Sequence, residues 1–198
     1  MTGSTAFDLG PQAAVVARLV SRVPGGGLGG RTPCPGYAVG DLLGHLAGLA
    51  VAFRDAARKD LGPTTDTPPG AAAPPLPADW RERIPRALGE LAEAWRDPSA
   101  WTGMTRAGGV DLPGAVAAAV AADELVVHGW DLARATGQEY APDTPALHAS
   151  HAFLLAAAQE AGAGQGVFGP VVPLPDGDGA PLLDRTLALS GRDPGWKP

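Results

Sequence analysis

Apolar residues recur along much of this chain at the three- and four-residue intervals of an α-helix, and Gly and Pro fill the gaps between those runs. In residues 11–23, PQAAVVARLVSRV, Val15, Leu19 and Val23 fall at i, i+4 and i+8 and predict one apolar helix face. Gly25–Gly30 ends that run. After a turn at Pro33-Cys34-Pro35-Gly36, a second helix is predicted from about Val39 to Lys59, with Leu42, Leu46, Leu49 and Phe53 on its apolar face. Residues 61–78 are rich in Pro and poor in apolar bulk, and predict an exposed loop. Asp79 suits the cap of a third helix running to about Arg96, which Asp97-Pro98 ends.

From Trp101 to Asp111 the pattern is irregular and fits a short hairpin or a loop. Pro113 suits the first turn of a long Ala-rich helix reaching Thr136, with Gly137 as its stop. A fifth helix is predicted from about Pro145 to Ala161. A Pro/Gly-rich stretch from Gly162 to Pro181 then leads to a short helix over Leu182–Leu189. So many helices and so few strand signals predict an all-α bundle, in which facing helices are the usual builders of ligand and metal sites. No internal repeat divides the chain. The expected organisation is a single domain over 1–198, with a bundle over about 4–161 and a C-terminal extension over 162–198.

The composition narrows the function classes. With 198 residues, 45% hydrophobic and 18% charged, the chain can bury a full core. A net charge of −6 argues against nucleic acid, which calls for a basic face. No long apolar run predicts a membrane span, and the first 20 residues lack a signal-peptide pattern. One cysteine, Cys34, excludes an internal disulfide. The expected compartment is the cytoplasm.

The segment ELVVHGWDLARATG, Glu124–Gly137, departs from its surroundings. At ~100° per residue, Glu124, His128 and Asp131 share a sector of ~60° on one helix. Leu125, Val126 and Leu132 flank them, and a polar row in an apolar setting is costly unless something pairs it. A divalent cation is one such partner, since carboxylate and neutral imidazole ligate zinc and other first-row metals.

A catalytic site usually takes a third protein ligand, and His45, mid-helix in DLLGHLAGLA, is the best placed in sequence. Gly44 and Gly48 beside it would admit a neighbouring helix or ligand, and Gly129 would leave room beside His128. The expected cleft is therefore bordered by Gly44, Gly48 and Trp130. Structural roles also fit these residues. His45 can be a core histidine, Glu124 a surface residue, and Asp131 a partner of Arg134 at i+3. His148 and His151 compete as ligands, although TPALHASHAF around them reads better as a solvated face. Cys34 has no His or acid beside it in sequence and reads as a structural thiol.

Taken together, TPCPGYAVGDLLGHLAGL, AADELVVHGWDLARATG and LLDRTLALSGRDPGW resemble the DinB-like metal-binding proteins of mycothiol-producing bacteria. The resemblance extends to the N-terminal domain of mycothiol-dependent maleylpyruvate isomerase, covers most of the chain and leaves the 61–78 loop unmatched. It implies a DinB-like four-helix bundle, here with an extra helix or tail at the C-terminus. It also implies a divalent metal held by His45, Glu124 and His128. Zinc is the expected ion, with nickel or another first-row metal as alternatives. Asp131 matches the motif's aspartate, and the expected role is to orient the His128 imidazole.

The implied functions are a metal-dependent thiol transferase or related detoxifying enzyme, or a metal-binding protein with a structural or sensory site. In the first case mycothiol is the expected co-substrate, and the partners are a small thiol and an electrophile. Arg54, Arg58, Arg106 and Arg134 are candidate sources of positive charge for gripping it. Maleylpyruvate isomerase activity is not expected, because the isomerase's further C-terminal domain has no counterpart within these residues. Homodimerisation is left open.

Overall fold

The computed structural model describes residues 7–68, 75–161 and 169–198. Among these residues there are seven α-helices and one two-stranded sheet, so the all-α expectation holds. The helices are α1 (Gly10–Ser21), α2 (Val39–Arg58), α3 (Pro63–Asp66), α4 (Trp80–Ala94), α5 (Gly114–Ala135), α6 (Thr144–Ala161) and α7 (Leu182–Leu189). The strands are β1 (Met104–Ala107) and β2 (Val110–Pro113). No helix among the described residues is long and apolar enough to cross a membrane.

Four helices close a ring. α1 packs on α4 and α5, and α2 packs on the same two, so α1 faces α2 across one diagonal and α4 faces α5 across the other. This is a four-helix bundle. The apolar face expected for α2 is buried throughout: Leu42, Leu46, Leu49 and Phe53 all lie in the core. Leu88 and Leu91 of α4 and Ala117, Ala118, Ala121 and Ala122 of α5 meet them there. On α1 Leu19 and, just past its end, Val23 of the expected line are buried, joined by Ala13, Val16 and Val20, while Val15 is half-buried. α6 covers the outside of α5, and α7 packs on α6.

Local chemistry fixes the element ends. The Asp41 carboxylate accepts from the Ala38 amide at 3.0 Å and starts α2. Lys59, with φ 59°, ends it in the left-handed region. Asp79 stands before α4 but its side chain caps nothing, and Pro113 is the residue before α5 rather than part of its first turn. The irregular segment is a hairpin whose Gly108-Gly109 turn has both φ values positive (63° and 77°), as a two-residue turn requires. Residues 61–78 are not loop throughout: Pro63–Asp66 forms the one-turn α3, in which the Thr65 hydroxyl is drawn to the Gly62 carbonyl. Residues 69–74 of that expected loop lie outside the described residues.

Candidate metal centre

Because α2 and α5 are neighbours in the ring, side chains on their facing sides meet. His45 points from α2 toward Glu124 and His128, one turn apart on α5. Glu124 Oε2 lies 3.2 Å from Nε2 of His45 and 3.1 Å from Nε2 of His128. The two imidazole rings meet edge to face with centroids 4.7 Å apart. Two ring nitrogens and a carboxylate oxygen thus lie within 4.8 Å of one another, a donor set that could hold a divalent cation. His45 is the solvent side of the group, with 29% of its side chain exposed, against 16% for Glu124 and 11% for His128.

Behind His128 stands a second row. Asp131, fully buried, places Oδ2 3.0 Å from Nδ1 of His128. Arg192, from the segment after α7, reaches the same carboxylate through Nη2 at 3.1 Å and Nε at 3.4 Å. Arg134 makes a different contact from the i+3 pair considered from sequence, donating from Nη2 to the Trp196 carbonyl at 2.8 Å. Cys34 is half-buried in the turn before α2, and its Sγ lies within 4.8 Å of donor atoms of His128 and Asp131. Tyr37, from the same turn, packs edge-on against His45 at 5.7 Å.

The electrostatics follow from these contacts. Burial opposes charge on Glu124, but hydrogen bonds from His128 and His45 prevail and hold its carboxyl well below the usual range. Burial likewise resists charge on His128, but hydrogen bonds to Asp131 and Glu124 push it up to about 9. Asp123, next along α5, is pushed up to about 7, chiefly by burial, although Ser150 of α6 donates to it at 2.7 Å. Burial pushes the Cys34 thiol up to about 11, against the pull of Arg192.

The space beside the group differs from the sequence expectation. Asp123, Glu124, Val127, His128 and Arg192 line a cavity of about 10 Å³, room for one small group. Trp130 lies elsewhere, lining a groove of about 780 Å³ with Val15, Arg18, Leu19, Arg22 and Arg134. Gly129 makes no room for a ligand either. A Cβ there would meet the Tyr140 hydroxyl at 3.1 Å and Val16 at 3.3 Å, so this glycine lets Tyr140 and α1 approach.

The remaining sequence candidates stand apart from the group. His148 is exposed on α6, and His151 lies beside Thr186 at 3.3 Å. Arg54 pairs with Asp55 and Glu90, Arg106 pairs with Asp66 and Asp111, and Arg58 is exposed. Sequence reasoning gave Cys34 no site neighbour and Arg192 no individual role, because both come close only through the chain path around α5. The one available signal was the arginine of the GRDPGW match.

Comparison with known proteins agrees with this architecture. Two uncharacterized proteins of Mycobacterium tuberculosis, Rv0738 and MT0763, are each 29% identical over 123 residues, 62% of this chain and 62% of theirs. The chain thus spans less than two thirds of the length of those relatives. A crystal structure of a mutant of mycothiol-dependent maleylpyruvate isomerase superposes with a TM-score of 0.59 at 18% identity, over 83% of this chain and 77% of that one. The structure of the isomerase itself gives 0.57 at 19% identity, over the same shares. At such identities the likeness establishes the fold, a DinB-like helical bundle. The mycothiol maleylpyruvate isomerase N-terminal domain family matches residues 9–133, which include His45, Glu124, His128 and Asp131, and this chain belongs to that family.

Proposed function

We propose that the protein binds a divalent metal, most simply zinc, through His45, Glu124 and His128, and uses it as a thiol transferase with mycothiol as the thiol. The observation that carries this reading is the convergence of two imidazole nitrogens and a carboxylate oxygen within 4.8 Å, in a family named for a mycothiol-dependent enzyme. The donor types fit zinc, and the set is one short of the four of a closed structural site. A bound zinc would supply one piece of chemistry: it stabilises a thiol as the thiolate, the nucleophilic form, near neutral pH.

The chain's own residues do the rest. Asp131 accepts from Nδ1 of His128 and leaves Nε2 facing Glu124 and His45. Tyr37 packs against His45 on the exposed side of the group, where a thiol and an electrophile would enter. In the transfer, sulfur bonds to the electrophilic carbon, the leaving group departs with its electron pair, and the thiol proton passes to water. The reading places the protein in the cytoplasm and treats 1–198 as one functional unit.

A second reading is a metal-binding protein with a structural or sensory site. The observation favouring it is the roughly 10 Å³ of space beside Glu124 and His128, which does not accommodate a thiol of mycothiol's size without movement. The deciding assay follows loss of free mycothiol in the presence of a panel of electrophiles, with zinc-loaded and chelator-treated protein. Zinc-dependent consumption supports the transferase. Zinc bound stoichiometrically with no consumption across the panel supports the second reading and overturns the first.

A further inference from the structure

The family match ends at residue 133, yet the site contains a side chain from far beyond it. α7 ends at Leu189, Gly191 turns the chain with φ 79°, and the Arg192 amide bonds back to the Leu187 carbonyl at 2.9 Å. This closure aims the Arg192 side chain at α5. Arg192 is 5% exposed, and its three guanidinium nitrogens are all engaged: Nη1 with the Ser190 carbonyl at 3.0 Å, Nη2 and Nε with Asp131. Trp196, four residues on, receives Arg134 of α5 at its carbonyl, so the segment docks on α5 at 131 and again at 134.

Asp131 is fully buried, and a buried carboxylate is costly without a paired charge. His128 alone does not fix it. A single hydrogen bond from Nδ1 leaves the carboxylate free to rotate, whereas the contacts of Nη2 and Nε to its two oxygens define its plane. We infer that Arg192 is a positioning residue of the metal centre: it holds the Asp131 carboxylate against Nδ1 of His128, so that Nε2 faces Glu124 and His45. The C-terminal segment is then part of the site rather than an appendage. This inference rests on the metal reading above for its consequence, though not for its geometry.

The test compares Arg192→Met, Arg192→Lys, Asp131→Asn and the double variant Arg192→Met/Asp131→Asn as full-length protein. Zinc affinity is read by chelator competition, and ligand geometry by the visible absorption of the cobalt-substituted protein. Arg192→Met and Asp131→Asn should each weaken zinc binding at least ~10-fold, the scale of losing a group that orients a ligand. They should also change the cobalt spectrum in the same way. Arg192→Lys, which keeps the charge and loses the two-nitrogen fork, should fall between Arg192→Met and wild type. Because Arg192 acts through Asp131, the double variant should bind no more weakly than Asp131→Asn alone. Multiplying losses in the double variant, or an unchanged affinity and spectrum in Arg192→Met, would overturn the inference.

Arg192→Met takes the guanidinium partner from a buried carboxylate and can fail to fold, so Arg192→Lys and the double variant, which removes both charges, carry the test in that event. The imidazole ¹⁵N spectrum of metal-free protein separates the two readings. If wild type binds no zinc, the metal reading fails. The hydrogen-bonded Nδ1–H signal of His128 still tests Arg192: its loss in Arg192→Met supports the inference, and its persistence unchanged overturns it.

Discussion

Zinc affinity should rise steeply with pH until about pH 9, and the reason lies in the contacts of His128. Asp131 sits 3.0 Å from its Nδ1 and Glu124 3.1 Å from its Nε2, so both ring nitrogens of the metal-free protein have carboxylate acceptors. Burial opposes the charge, the two carboxylates outweigh it, and the result is an imidazolium held up to about 9 against an ordinary 6.5. A metal taking Nε2 must displace that proton. Each pH unit below 9 then costs about tenfold in apparent affinity, or roughly 100-fold between pH 9 and pH 7. The sign also holds for folding. A histidine whose folded value is raised contributes stability fully present below about 6.5, and metal-free protein loses that contribution as pH rises through about 9. The assay is zinc competition against a chelator of known pH dependence at about pH 7, 8 and 9, with titration calorimetry in buffers of different ionisation heat to count protons released. Asp131→Asn removes one of the two carboxylates and should flatten the slope. An affinity independent of pH across this range, or a slope unaltered by Asp131→Asn, would show that the carboxylates do not hold a proton on His128.

Two further expectations follow from particular contacts. His45→Ala, Glu124→Ala and His128→Ala should each lower metal content sharply by elemental analysis, while His148→Ala and His151→Ala, which lie outside the group, should leave it unchanged; metal lost from the His148 variant and kept by the His45 variant would move the site. Gly114→Ala should lower thermal stability by at least ~1–3 kcal/mol, the usual cost of overpacking, because a Cβ there overlaps the Ala100 carbonyl oxygen and has only backbone to push against. A melting temperature equal to wild type would refute that contact.

How far the sequence could be read depended on the range of the interactions. Helical periodicity is local, and it located α2, α5 and α7 within a residue or two. The one-face spacing of Glu124, His128 and Asp131 was legible for the same reason, since a single helix fixes their relative directions. The full buried face of α1 was not, because its sequence offers apolar residues on more than one line and only packing against α4 and α5 adds Val16 and Val20 to the expected Leu19 and Val23 and leaves Val15 half-buried. The expected cleft failed at Trp130 and Gly129 on similar grounds. Both adjoin His128 in sequence, but Gly129 opens toward Tyr140 and Trp130 toward the α1 side. Cys34 and Arg192 reach the site from the two ends of the chain, and no periodicity within a segment carries that information.

Gln12 of α1 is fully buried, and its amide donates to the Leu125 carbonyl at 2.9 Å and to the Tyr140 hydroxyl at 3.0 Å, while its own oxygen accepts from the Asp143 amide. Tyr140 in turn donates to the Val126 carbonyl at 2.7 Å. These bonds grip the helix turn between Glu124 and His128 from its far side, tying it to α1 and to the connection before α6. For that turn to fray, a buried amide and a buried phenol would have to lose their partners together. Its opening therefore belongs with unfolding of the bundle rather than with the local fluctuations of a surface helix. An ion arriving at the site meets two donors whose separation along α5 has already been fixed, so little backbone ordering is left to oppose binding.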